Sequence, residues 1–166
     1  GPHDTTATLT KPLAEQGAEV IALVIPGWIA GQFAPAPQPE AYATMTRLIR
    51  KEDGIIDWHH DATTIDRQIR AYTPWPGTQT TWLGQPVKIV AAHPLAEADQ
   101  APADLDLAQP PGSVITWGRG ASQRLAVICG EQSVLVLDTI QLPGKRAMSG
   151  GDSIRGYPAL IGALFS

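Results

Sequence analysis

The sequence has 166 residues, of which 43% are hydrophobic and 17% charged, enough apolar content for one domain with a hydrophobic core. Its 16 glycines and 15 prolines favour turns and short strands over long helices and predict a β-rich fold. The net charge of −4 disfavours a tight nucleic-acid binder, no apolar run is long enough to span a membrane, and the single cysteine, Cys129, excludes an internal disulfide.

Residues 5–33 predict helical structure with interruptions. Apolar residues from Leu9 to Trp28 recur close to helical spacing. Pro12 and Pro26 fall inside this pattern, and a proline in a helix interior costs about 3 kcal/mol. We therefore expect two short helices or a kinked pair.

A stiff, extended linker is expected next, because three prolines occur within five residues of FAPAPQPE, Phe33 to Glu40. It is followed by RLIRKEDGIIDW, Arg47 to Trp58, which reads as an extended lead-in, first basic and then acidic. Within it, Asp57 is predicted to be a hydrogen-bonding anchor and Trp58 a core residue.

One amphipathic helix is predicted after this lead-in. Asp61 can cap its N-terminus, and Ile65, Ile69 and Tyr72 fall on one face at i, i+4 and i+7. Arg67 points to the opposite side, and Arg70 can pair with Asp66 at i, i+4. The helix must end before Pro74 because the residue preceding a proline is pushed out of helical geometry.

The stretch RAYTPWPG, Arg70 to Gly77, concentrates rigid and bulky residues. Pro74 is expected to stop the helix, and Pro76 with Gly77 to set a turn. Trp75 is interpreted as an apolar plug between the helix and the strands that follow. Stacking of Trp75 on a nucleic-acid base is the alternative.

Five β-branched segments bounded by turn residues follow and predict five strands. They are TQTTWLG, PVKIVAAH, GSVITWG, RLAVICG and SVLVLDTIQL. An acidic loop that contains proline, with its charge concentrated from Glu97 to Asp106, separates the second from the third. The expected fold is α+β and mainly β: an OB-like five-stranded barrel preceded by a helix, with an N-terminal helical appendage.

Several motifs occur in an order and spacing that is specific when they are taken together. They are IDW at Ile56 to Trp58, IRA-x-x-PWPG at Ile69 to Gly77 and PGK-x-AM at Pro143 to Met148. With them, residues 38–156 closely resemble the C-terminal domain of methionyl-tRNA formyltransferase. The segment DTTATLTKPLAEQGAEVI, Asp4 to Ile21, resembles the last helix of that family's N-terminal formyltransferase domain.

The resemblance implies three regions. Residues 1–33 hold a tag remnant and the terminal helical segment of the missing formyltransferase domain. Residues 34–58 are the proline-rich linker and lead-in, and residues 59–166 the C-terminal OB-like barrel domain.

The resemblance also implies a function. Members of the family are cytoplasmic enzymes that transfer a formyl group from formyl-tetrahydrofolate to methionyl initiator tRNA. Their catalytic asparagine, histidine and aspartate lie in the N-terminal domain, and this sequence has no asparagine and no SLLP motif. We therefore expect a tRNA-positioning module that has no catalytic residues, binds no cofactor and has no activity alone. Its parent enzyme would use formyl-tetrahydrofolate as cosubstrate.

Binding to tRNA phosphates requires lysine and arginine. Lys145 and Arg146 match the two basic positions of the family's PGKK-A-M motif, and Lys88 matches the lysine of its PVKI-like strand. The remaining candidates are Arg67 on the helix and the linker residues Arg47, Arg50 and Lys51. Each of these charges could equally be solvated or ion-paired. Arg70 is expected to be structural.

Two further readings remain open. The barrel could belong to a sugar-nucleotide formyltransferase or a formyl-tetrahydrofolate dehydrogenase, where it would have no RNA role, or it could be a purely structural piece. The apolar residues of the N-terminal segment also predict self-association, or folding back of that segment.

His59 and His60 are next to Asp57 and Asp61, but adjacent histidines point apart and rarely share a metal ion. Neither a metal site nor acid–base catalysis is expected here. Cys129 lies in the apolar run LAVICG and is expected to be a buried, inert thiol.

Overall fold

A computed structural model describes residues 1–95, 106–118, 120 and 123–166. The predicted acidic loop, Glu97 to Asp106, lies outside these residues except for Asp106. The chain divides into two compact units, Gly1–Ile49 and Arg50–Ser166. No helix among the described residues is both long enough and apolar enough to cross a bilayer.

The first unit contains one continuous helix, α1, Thr6–Ile29. Thr5 caps it, since the Thr5 side chain accepts a hydrogen bond from the backbone N–H of Thr8 at 3.2 Å. The expected break into two helices is wrong: Pro12 and Pro26 lie inside the helix. Each proline removes a single backbone donor, and the other turns of the helix continue past it. No α1 side chain is buried.

The second unit begins with a 3-10 turn, Lys51–Gly54, and the helix α2, Ala62–Ala71. Asp61 caps α2 as predicted, because its Oδ1 accepts hydrogen bonds from the backbone N–H groups of Thr63 and Thr64 at 3.0 Å. Ile65 and Ile69 are fully buried. The helix ends before Pro74, as expected.

Within the described residues, six strands form one antiparallel sheet, and the five predicted strands are all present. Their bounds are β1 Thr78–Trp82, β2 Gln85–Pro94, β3 Val114–Trp117, β4 Arg124–Ile128, β5 Val134–Gln141 and β6 Met148–Ser149. The sequence missed β6 because two residues are too few to show an alternating pattern. The helix α3, Gly150–Gly156, follows it.

The strand order is β1-β2-β5-β4-β3, with β6 paired to β5. The mainly β, α+β fold is confirmed, but the barrel is not closed, since no ladder joins β1 to β3 within the described part of the chain. The C-terminal residues lie at both of these edges instead. Ser166 exchanges two backbone hydrogen bonds with Thr81, and the N–H of Phe165 donates to the carbonyl of Gly112 at 2.9 Å.

Both faces of the sheet bury apolar side chains. The main core packs α2 against one face of the sheet and includes Trp58, Ile65, Leu125, Leu137 and Phe165. Successive residues of a strand point to opposite faces, so their neighbours in β3, β4 and β5 form a second cluster. Its members are Ile115, Trp117, Ala126, Ile128, Val134 and Val136.

The buried Trp58 connects the lead-in to the sheet. Its Nε1 donates to the Thr80 hydroxyl at 2.9 Å, and that hydroxyl donates to the carbonyl of Ser166 at 3.2 Å. Its ring centroid lies 6.0 Å from that of Phe165. The predicted core position of Trp58 is confirmed, and the tail is part of the same contact.

Changing Gly112 to alanine tests the importance of the tail. Gly112 has φ +93°, and a Cβ there would lie 2.4 Å from the Phe165 carbonyl oxygen. The matched control is Gly84→Ala, since Gly84 has φ +73° with no atom within 4 Å of the added Cβ. Both variants should lose about 1–2 kcal/mol from backbone strain, and Gly112→Ala a further ~1–3 kcal/mol from the clash. Equal losses in urea unfolding would show that the tail contributes little.

The Asp61 cap predicts a pH dependence. Hydrogen bonds from the Thr64 hydroxyl and backbone lower the pKa of Asp61 from its ordinary 3.8. A carboxyl whose pKa is lower in the folded than in the unfolded protein stabilises the fold at a pH above its unfolded pKa. This stabilisation is lost as the pH falls through the folded pKa. Asparagine can cap a helix but has no titratable group. The difference in free energy of unfolding between wild type and Asp61→Asn should therefore shrink below about pH 4. Parallel pH profiles in denaturant titrations would argue against this.

Candidate nucleic-acid interface

A surface groove of about 430 Å³ lies in the second unit, between the turn after α2, the start of β1, the middle of β2 and the end of β5. Two of the predicted phosphate-binding residues line it. Its lining consists of Lys51, Thr73, Pro74, Pro76, Gly77, Thr78, Gln79, Lys88, Ile89, Val90 and Gln141. Two lysines therefore share a cavity whose described lining has no carboxylate.

Lys51 reaches the groove because its 3-10 turn packs against the turn that contains Pro76. The backbones of Gly54 and Gly77 touch so closely that a Cβ on Gly54 would lie 2.2 Å from the Gly77 carbonyl oxygen. The side chain of Gln68, on α2, donates to the backbone carbonyls of Asp53 at 2.9 Å and Ile55 at 3.2 Å. These contacts hold the exposed Lys51 at the mouth of the groove.

Lys88 reaches the groove through strand alternation. Its neighbours Val87 and Ile89 are buried, which leaves Lys88 on the exposed face of β2. It lies opposite Gln79 of β1 and Gln141 of β5.

Lys145 is connected to the same region by Gln141. The Gln141 side chain donates to the carbonyl of Lys145 at 2.9 Å, and the N–H of Lys145 donates to Leu142 at 3.1 Å. These bonds place the exposed Lys145 and Arg146 in the turn before β6, next to the strand end that lines the groove. Lys51 and Lys88 thus line one groove, and the turn that contains Lys145 is bonded to Gln141, which also lines it.

The structure does not place the other candidates in the groove. Arg67 is exposed on α2 and does not line it. Arg50 precedes the 3-10 turn, where its backbone N–H donates to an Asp53 carboxylate oxygen at 2.7 Å. Arg47 belongs to the first unit. Arg70 pairs with Asp66 at 3.0 Å, as predicted.

Trp75 does not fill the role that the sequence suggested. Its side chain is 61% exposed, so the expected plug between helix and barrel is wrong. Two hydrogen bonds close the turn instead. The N–H of Gly77 donates to the Tyr72 carbonyl at 2.9 Å, and the Thr73 hydroxyl donates to the Ile69 carbonyl at 2.7 Å. The indole is therefore exposed, and its two neighbours in the chain, Pro74 and Pro76, line the groove.

Two glutamines of the site were missed. Gln79 and Gln141 flank Lys88 across the sheet, and only the strand register brings them there. The polar face of each strand marks them as exposed, but no local pattern in the sequence shows which residues lie opposite each other.

The predictions that Asp57 forms hydrogen bonds and that Cys129 is buried agree with the structure. Asp57 accepts a hydrogen bond from the backbone N–H of His59 at 3.0 Å, and this bond, followed by the His59 side chain, lowers the pKa of Asp57. Cys129 is buried, which raises the pKa of its thiol to about 12. At neutral pH that thiol is neutral and a poor nucleophile.

Comparison with known proteins places the sequence among formyl transferases. The family model described as formyl transferase, C-terminal domain, matches residues 48–158. The methionyl-tRNA formyltransferase of Roseiflexus castenholzii is 40% identical over 155 residues, which cover 93% of this chain and 46% of that protein. That of Gluconacetobacter diazotrophicus is 40% identical over 161 residues, 97% of this chain and 47% of that protein. The chain thus spans about half the length of the curated relatives it matches.

A solved structure shares the fold. A variant of HypX from Aquifex aeolicus has a TM-score of 0.58 at 20% sequence identity, and the match covers 96% of this chain and 27% of that one. At this identity the likeness concerns the fold alone.

The exposure of Trp75 predicts different costs for two tryptophan substitutions. Trp75→Leu should change the free energy of unfolding by no more than about 0.5 kcal/mol, as for other surface sites. Trp58→Leu removes the bond to Thr80 and the contact with Phe165 and should cost about 2 kcal/mol or more. Chemical denaturation of both variants measures the difference. A large loss in Trp75→Leu would restore the plug interpretation.

Proposed function

The chain belongs to the formyl transferase C-terminal domain family, and we propose from this that it is the tRNA-positioning part of a methionyl-tRNA formyltransferase. The parent enzyme would transfer a formyl group from formyl-tetrahydrofolate to methionyl initiator tRNA in the cytoplasm. The catalytic residues and the folate site would lie in a formyltransferase domain outside this sequence. The 166 residues would then bind tRNA without catalysing the transfer.

The observation that carries the proposal is that Lys51 and Lys88 line one groove, with the turn of Lys145 bonded to Gln141, another of its lining residues. The protein as a whole is acidic, with a net charge of −4. A local set of cations can still attract a polyanion, because the nearest charges dominate the potential at a surface. The described lining of the groove has no carboxylate to compensate these cations, although Glu52 and Asp53 follow Lys51 in its 3-10 turn.

The contacts available in this groove suit the phosphate backbone. Lysine ammonium groups are mobile point charges that bind phosphate without reading a base. We therefore expect weak binding that depends strongly on salt and differs little between tRNAs. Discrimination of the initiator tRNA would be left to the catalytic domain.

The remaining candidates extend the proposal. Arg146, next to Lys145, and Arg67, on α2, would contact phosphates beyond the groove, and Arg47 and Arg50 would do so from the linker. The boundaries 1–33, 34–58 and 59–166 stay a prediction.

The first unit suggests how the chain assembles. The exposed apolar side chains of α1 include Val20, Val24 and Trp28. We propose that α1 completes the absent formyltransferase domain, and that it mediates self-association when that domain is missing.

Titration with tRNA tests the phosphate contacts. The 166-residue chain is titrated with formylatable initiator tRNA and an elongator tRNA at several salt concentrations. Lys51→Gln, Lys88→Gln and Lys145→Gln should each weaken binding to both tRNAs and reduce the salt slope by about 1. Arg124→Gln is the matched control, because Arg124 is exposed on β4 and does not line the groove.

Two outcomes would contradict the proposal. No binding to either tRNA at low salt would favour a domain of a sugar-nucleotide formyltransferase or a formyl-tetrahydrofolate dehydrogenase, with no RNA role. Equal losses in Arg124→Gln and the lysine variants would show non-specific attraction without a defined surface.

A further inference from the structure

The exposed indole of Trp75 has no role in the fold described above. Its side chain is 61% exposed, although tryptophan is one of the largest apolar side chains. The neighbours of Trp75 in the chain, Pro74 and Pro76, both line the groove that contains Lys51 and Lys88. Trp75 itself is not among the lining residues, so its exposed indole belongs to the turn that forms one wall of the groove.

The backbone beneath this indole is held firmly. The bond from the Gly77 N–H to the Tyr72 carbonyl closes the turn, and the Gly54 backbone packs against Gly77. Proline restricts the backbone on both sides of Trp75. The side chain itself has only two rotatable angles, so little conformational entropy is lost when a ligand covers it.

The chemistry of the groove fits a nucleotide. An aromatic side chain provides a stacking face for any base, and the two lysines can bind a phosphate. The groove volume of about 430 Å³ falls within the ~300–1,000 Å³ of small-ligand sites. Thr73, Gln79 and Gln141 add polar side chains to the same lining.

We propose that this groove is a subsite for one unpaired nucleotide of RNA, whose base stacks on Trp75 and whose phosphate contacts Lys51 and Lys88. The proposal rests on the tRNA-binding function and assigns a specific place to an unpaired segment of that tRNA. An unpaired base is required because the faces of a paired base are covered by its neighbours in the helix. The subsite therefore favours single-stranded over double-stranded RNA, although a duplex of the same strand carries more phosphates.

Binding of a short RNA tests the subsite directly. A single-stranded hexanucleotide, and the same hexanucleotide in a duplex, are titrated into the wild-type chain while tryptophan fluorescence is recorded. Wild type should bind the single strand more tightly, with quenching of fluorescence. Trp75→Leu should weaken single-strand binding about 5- to 100-fold and leave duplex binding unchanged. Trp75→Phe should retain most of the affinity but lose the quenching.

Control variants separate stacking from charge. Trp28→Leu replaces another exposed tryptophan, one that belongs to the first unit, and should bind the hexanucleotide as wild type does. Lys51→Gln and Lys88→Gln should each lower the salt slope for the single strand by about 0.7, whereas Trp75→Leu should leave that slope unchanged.

The outcomes distinguish this subsite from the broader function. If tRNA binds and the lysine variants weaken it while Trp75→Leu binds the hexanucleotide normally, the subsite is refuted and the tRNA-binding function stands. If the hexanucleotide binds through Trp75 but neither tRNA binds, the subsite stands and the tRNA function fails. If the hexanucleotide does not bind at low salt, or binds no better than the duplex, the subsite is refuted.

Discussion

The hydrogen bonds from Trp58 to Thr80 and from Thr80 to Ser166 join three parts of the chain that are distant in sequence. The indole N–H would be costly to bury without an acceptor, and the Thr80 hydroxyl satisfies it. That hydroxyl then donates to the tail, whose backbone also bonds to Thr81 and Gly112. Lead-in, first strand and tail are therefore ordered together, at the two sheet edges that no strand ladder joins.

The groove depends on the same arrangement. Fixing Trp58 places the preceding 3-10 turn, and the contact between Gly54 and Gly77 then sets the distance between Lys51 and the proline turn. Lys88 is placed by the pairing of β2 with its two neighbours. The candidate site is thus built from rigid elements, with its cations on flexible side chains, a combination suited to a ligand whose phosphates vary in position.

Net charge alone would have excluded RNA as a partner. At physiological salt, charges more than about 8 Å apart are largely screened, so the charges nearest a ligand matter more than the net charge. Lys51 and Lys88 line a groove whose described lining has no carboxylate, although Glu52 and Asp53 follow Lys51 in its 3-10 turn. A fold by itself does not decide between an RNA-binding and a purely structural role.

The sequence by itself determined the elements whose causes are local: the Asp61 cap, the α2 stripe of Ile65 and Ile69, and the five longer strands. These follow from spacing and turn residues within a few positions of one another. The sequence misjudged α1 because the free-energy cost of a proline inside a helix does not show whether the helix ends there. The sequence also predicted that Trp58 is buried, but only the tertiary structure decided that Trp75 is exposed and that Lys51 and Lys88 line one groove. Burial and proximity depend on register and packing between distant segments, such as those of Trp58 and Phe165, 107 residues apart, and no local pattern encodes such contacts.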